Sequence, residues 1–83
     1  MRVEVYSEVA LANDMPDEGL RRGDIVTIVD RVSAPGGGDG YLVEVFNAVG
    51  QTINVVPVAP EALTPLAADQ VLSVRQLAPT GVR

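Results

Sequence analysis

The carboxylates are the residues of this sequence best able to do chemistry, because it contains neither Cys nor His. That absence removes disulfides, thiolate chemistry, the usual zinc ligands and His acid–base catalysis. The acids weighed for acid–base work are Asp14, Asp24, Asp30 and Glu44. No spacing selects a pair whose environments would separate their pKa values. A chain of 83 residues also offers little pocket volume, so we expect no enzyme, no cofactor and no metal site.

Three carboxylates and two arginines form a charged cluster early in the chain. Asp14, Asp17 and Glu18 lie in one short stretch, and the adjacent pair Arg21 and Arg22 follows it. Acidic surfaces steer association with basic partners, so this cluster is a candidate contact for another protein. The simpler interpretation is a solvated loop. The spacing also lacks the regular oxygen ligands of a calcium loop.

A glycine-rich stretch at 36–40 is the other feature that could bind a ligand. A loop that cradles phosphate needs a following helix and, in the P-loop, a Lys. Here the apolar alternation from Tyr41 to Phe46 predicts a strand, and the chain has no Lys. We interpret 36–40 as a hairpin connection.

The charge balance bears on partners. Eleven acids against six basic residues give a formal net charge of −5, and nucleic-acid binding depends on a basic footprint. No apolar run approaches the ~20 residues of a membrane span, and Glu4 interrupts the apolar start that a signal peptide would need. We expect a cytoplasmic protein with no membrane and no nucleic-acid partner.

The elements that must position these residues are strands. Period-two alternation and β-branched runs predict strands at 3–11, 25–32, 41–46 and 52–58 and a short closing strand at 63–66. A 3₁₀ turn is predicted at 59–63, with Pro60 at its first position. Leu20 is the expected apolar anchor of the first loop, and Gly19 and Gly23-Asp24 supply its turns. Only three residues are aromatic, so the core must consist of Val, Leu and Ile.

This order of elements predicts an all-β protein, a small SH3-like barrel of five strands with a short 3₁₀ turn. Such a barrel protects most sheet edges. We divide the chain into a barrel at 1–66 and a C-terminal extension at 67–83. Within the extension, 67–77 is ambiguous: Val71, Val74 and Leu77 have helical spacing, yet the β-branched content favours an extended piece. It must dock on its own barrel or on a second copy.

Several short motifs carry a resemblance. They are Asp14-Met15-Pro16, Gly19-Leu20, Gly23-Asp24, Tyr41 with Val43-Glu44, and Gly50 with Thr52. In this order the chain resembles a family of short bacterial proteins of unknown function with SH3-like character, over roughly Val9 to Leu66. The resemblance carries no activity. It implies an accessory protein of the antitoxin or immunity kind, encoded next to the protein on which it acts.

The function expected from the sequence is therefore that of a non-catalytic protein-binding module. Its predicted contact surface combines Tyr41, on the third strand, with the charged cluster of residues 14–22. One alternative is a structural protein that self-associates through 71–77. Another is a nucleic-acid-associated or ribosome-associated SH3-like protein, which the net charge disfavours.

Overall fold

The computed structural model describes residues 4–33 and 37–77. Over these ranges the chain is all β, as predicted. Five antiparallel strands form one sheet in the order β4-β3-β2-β1-β5. The strands are β1 (Glu8–Leu11), β2 (Ile25–Ser33), β3 (Asp39–Phe46), β4 (Thr52–Val58) and β5 (Leu63–Pro65). The 3₁₀ turns are Pro16–Glu18 and Pro60–Ala62, and within the described ranges there is no α-helix.

The core is aliphatic and lies on one face of the sheet. Alternate residues of the strands point into it, as period-two patterning requires. Its buried members are Val9, Leu11, Leu20, Val26, Ile28, Val43, Val45, Val56, Val58 and Leu63. Burial of each such side chain contributes roughly 1.5–3 kcal/mol to folding. Leu20 comes from the loop after β1 and is only 3% exposed, which confirms its predicted role as the loop anchor.

The first strand is shorter than predicted. A turn at Val5-Tyr6 precedes β1, and Tyr6 has a left-handed φ of 72°. The Ser7 N–H donates to the Glu4 carbonyl at 3.1 Å and closes this turn. Alternation of apolar residues continues through the turn, so the pattern alone extended the strand too far. Residue 3, where the predicted strand begins, lies outside the described residues.

The loop between β1 and β2 folds back on itself. Met15 and Leu20 exchange backbone hydrogen bonds of 2.9 and 3.0 Å across the 3₁₀ turn. Gly19 ends that turn with φ 72°, and Gly23 turns the chain into β2 with φ 92°. Both angles favour glycine over residues with a Cβ. The loop thereby brings Asp24 to the start of β2.

The remaining connections follow the sequence pattern where they are described. Residues 47–51 form the tight β3–β4 hairpin, with Gly50 at φ 85°. Pro57 lies in β4, an edge strand, where its missing N–H removes no bond to a further strand. Residues 34–36 of the β2–β3 connection, including the first glycine of the 36–40 stretch, lie outside the described residues. The strand β3 begins at Asp39, within that stretch and two residues before the predicted start at Tyr41.

Residues 67–77 form neither a helix nor a strand. We call them the C-terminal segment. A turn at its start is closed by the Gln70 N–H on the Ala67 carbonyl and by the Ala67 N–H on the Gln70 side chain, at 3.2 and 2.8 Å. The segment pairs with no strand among the described residues, so the predicted extended piece adds no strand to the sheet. It lies against its own sheet region through Arg75.

Candidate functional site

An apolar groove of about 740 Å³ lies between the sheet and the C-terminal segment. The residues that the sheet contributes lie near the ends of β1 and β3 and near the starts of β2 and β4. Its apolar lining includes Ala10, Ile25, Phe46, Ile53, Leu72 and Leu77. The groove therefore joins residues from four strands with residues from the end of the chain.

Large apolar side chains in this groove remain open to solvent. Phe46 is 41% exposed, Ile53 40% and Leu77 45%. Single exposed apolar residues are normal on protein surfaces, whereas a contiguous apolar patch marks an interaction site. Because these side chains line one groove, they give it a shared apolar surface.

Arg75 holds the C-terminal segment in place. Its Nε donates to Asp24 Oδ1 at 2.8 Å and its Nη2 donates to Asp24 Oδ2 at 2.6 Å. Nη2 also donates to the Gly19 carbonyl at 3.2 Å. A planar guanidinium that binds both oxygens of a carboxylate is among the stronger polar contacts in proteins. Both side chains are largely shielded from solvent, so screening weakens this pair less than a fully exposed one.

The turn before β2 orients Asp24 for this contact. Its Oδ2 accepts the Arg21 backbone N–H at 2.8 Å, and its own N–H donates to the Arg21 carbonyl at 3.0 Å. Burial alone would raise the pKa of Asp24. The hydrogen bonds from Arg75 and from the Arg21 backbone, with the charges of both arginines, outweigh burial and hold that pKa below its usual value. The same contact raises the pKa of Arg75.

The predicted charged cluster is used partly for structure. Asp14 Oδ1 accepts the Arg22 backbone N–H at 2.9 Å, and this bond ties the two ends of the first loop together. Arg21 and Arg22 are themselves exposed. These three residues lie beside the turn that carries Asp24.

Glu18 connects the acidic part of the first loop to β4. Its Oε1 accepts from the Asn54 side chain at 2.8 Å. Asp17, its neighbour on the 3₁₀ turn, is exposed. Neither Asp17 nor Glu18 is among the residues that line the groove.

Tyr41 does not share this location. It pairs with Val58 on β4, four positions from Asn54, where the acidic loop makes contact. At ~3.3 Å per strand residue, the separation is roughly 13 Å. Tyr41 instead packs half-buried against the core. The structure therefore separates Tyr41 from the acidic loop, and none of Asp17, Glu18 and Tyr41 lines the groove.

The carboxylates weighed for catalysis have structural partners. Asp30 Oδ1 accepts the Arg31 backbone N–H at 2.8 Å, and Glu44 accepts the Thr52 hydroxyl. In the part of the chain that the structure describes, no three His, Cys, Asp or Glu residues are grouped so as to hold a metal ion.

The residue that sequence reasoning missed is Arg75. Its signal was available, because Arg75 is the one charged residue of the stretch 71–77, which is otherwise polar or apolar. Its partner could not be chosen from sequence, since Asp24 is 51 positions away. The apolar groove was missed for the same reason, because strands distant in sequence line it together.

Fold and groove define a small all-β protein with an open apolar groove under its C-terminal segment. Residues 5–65 match the model of a protein family described as a domain of unknown function, DUF4926. The chain belongs to this family, and the expectation of an uncharacterised family is confirmed.

No curated protein and no solved structure matches the chain. A search of the described residues for a helix long and apolar enough to cross a membrane finds none.

Proposed function

We propose that this protein is a non-catalytic protein-binding module that takes an extended segment of a partner protein into its groove. The observation that carries the proposal is the apolar groove itself, with Phe46, Ile53 and Leu77 open to solvent. Its volume of about 740 Å³ falls within the range of ligand clefts, ~300–1,000 Å³.

The overall charge favours a basic partner, because the whole chain carries a net charge of −5. Asp24, which lines the groove, adds little attraction, because Arg75 already compensates its charge. A partner segment with aliphatic side chains for the groove and basic side chains beside them complements this protein.

We further propose that the sheet is an SH3-like barrel. The order of elements supports this, with a long first loop, a tight β3–β4 hairpin and a 3₁₀ turn before β5. The resemblance of the sequence supports an accessory role of the antitoxin or immunity kind. The protein would then act on a partner encoded by an adjacent gene. Co-purification of the two proteins, the chain and the product of the adjacent gene, tests this accessory role.

The groove is tested with a defined probe, an acetylated ten-residue peptide that alternates leucine and arginine. We expect the peptide to shift the backbone NMR signals of Phe46, Ile53 and Leu77 in the labelled full-length chain. A peptide that alternates leucine and glutamate should bind at least tenfold more weakly, since the net negative charge of the chain opposes it. Absence of shifts at the groove would contradict the proposal.

Two matched variants locate the binding surface. Ile53 and Val55 are both on β4 and are 40% and 47% exposed, but only Ile53 lines the groove. Ile53→Ser should weaken binding of the leucine–arginine peptide roughly tenfold, a typical loss for an apolar anchor. Val55→Ser should leave the affinity unchanged. Equal effects of the two substitutions would place the peptide elsewhere.

A further inference from the structure

We infer that the C-terminal segment exchanges between two copies of this chain, so that Arg75 of one copy binds Asp24 of the other. The result is a dimer with two reciprocal contacts. This inference goes beyond the proposed function, because it states that the segment over the groove comes from a second copy of the chain.

The C-terminal segment is attached in a way that permits its exchange between copies. Arg75 supplies its hydrogen bonds to Asp24 and Gly19, and the segment adds no strand to the sheet. Release of the segment therefore breaks no strand pairing. An identical segment from another copy would make the same contacts, which is why exchange of an element is a low-cost route to dimers.

The C-terminal segment exposes apolar side chains when it binds its own chain. Val71 is 92% exposed, Val74 86% and Leu72 62%. Three such side chains in four residues are costly in water. When two copies exchange segments, the segments pass each other, and these side chains from both copies come together.

The length of the chain between the sheet and Arg75 also permits the exchange. The turn at Ala67–Gln70 is closed by two hydrogen bonds, and its opening frees the chain from Leu66 onward. Arg75 is nine positions after Leu66, and this stretch spans up to about 30 Å when it is extended. The shortest dimension of the molecule is 20 Å. The segment is therefore long enough to reach the groove of an adjacent copy.

The test begins with the unmodified full-length chain. Sedimentation velocity over a concentration series should show a reversible monomer–dimer equilibrium. A chain that stays monomeric up to millimolar concentration would overturn the inference.

The arrangement within the dimer is tested by mixing Asp24→Asn with Arg75→Gln. Neither variant can form the Arg75–Asp24 contact within its own chain or its own dimer. A mixed dimer with exchanged segments restores one contact between chains. Native mass spectrometry should show the mixed dimer roughly tenfold above the statistical proportion, the factor for about 1.4 kcal/mol.

The control uses the same substitutions with the opposite expected sign. Wild type mixed with the double variant D24N/R75Q can form no Arg75–Asp24 contact across an exchanged mixed dimer. That mixed dimer should therefore fall below the statistical proportion. If copies associate without exchange, both mixtures give statistical proportions, and this outcome would refute the inference. Circular dichroism of each variant alone verifies that it is folded.

Discussion

At the scale of single residues, Asp24 is where the loop and the C-terminal segment meet. It accepts the Arg21 backbone N–H within the turn and both arms of the Arg75 guanidinium. A carboxylate fully engaged in this way is stabilised in its charged form. One side chain thereby shapes the start of β2 and fixes a segment far away in sequence.

The lowered pKa of Asp24 makes its contribution to stability depend on pH. Because the folded pKa lies below the ordinary value of 3.8, the contribution is complete above that value and is lost as pH falls through the lowered pKa. Asp24→Asn should reduce the free energy of unfolding by about 1–2 kcal/mol at neutral pH. The difference from wild type should shrink in acid.

Urea denaturation of both proteins across this pH range measures the difference. Asp17→Asn, an exposed substitution on the 3₁₀ turn, is the control and should change stability by less than about 0.5 kcal/mol. If Asp24→Asn is as stable as wild type at neutral pH, the Asp24 contact contributes nothing to folding.

At the scale of elements, turns decide where strands begin and end. The β3–β4 hairpin depends on Asn47, whose Oδ1 accepts the backbone N–H groups of Val49 and Gln51 at 3.1 and 2.9 Å. Its side-chain amide also donates to the Gln51 side chain. Side-chain bonds of this kind satisfy backbone groups that the strands leave unpaired.

Asn47→Ala should therefore destabilise the protein by about 1 kcal/mol, because it removes these hydrogen bonds from the hairpin. The midpoint of urea unfolding measures the effect. Val49→Ser lies in the same turn, and Val49 is 79% exposed. It should have almost no effect. A loss of equal size for both substitutions would show that the hairpin does not depend on Asn47.

At the scale of the whole molecule, the sheet and the C-terminal segment differ in how they are held. The strands share a continuous aliphatic core, whereas the segment is held by the side chain of Arg75 and exposes its own valines. Regions with few buried contacts open with a smaller free energy than the core. The segment should open while the sheet stays folded.

Limited proteolysis with a protease that cuts beside large apolar residues tests this difference. We expect the first cut within residues 67–77 and an intact sheet at that stage. Arg75→Gln should accelerate this cut roughly tenfold, since it removes the bidentate contact. Gln76→Ala is the neighbouring control and should leave the rate unchanged. A first cut within a strand would show that segment and sheet open together.

The sequence by itself determined the all-β class, the aliphatic core, the 3₁₀ turn at Pro60–Ala62 and the turns at Gly19 and Gly23. Each of these follows from neighbours in sequence, through alternation, turn residues or proline. The short first strand was mispredicted because the turn at Tyr6 leaves the apolar alternation intact. The family match over residues 5–65 agrees with the expectation of an uncharacterised family.

Tertiary structure alone decided the site. Contacts such as Arg75–Asp24, 51 positions apart, and Asn54–Glu18, 36 positions apart, depend on how irregular segments pack on the sheet. Such packing leaves no period in the sequence, because a loop or an unpaired segment has no repeating geometry. For the same reason Tyr41, which the sequence grouped with the acidic loop, lies along the sheet and away from the groove.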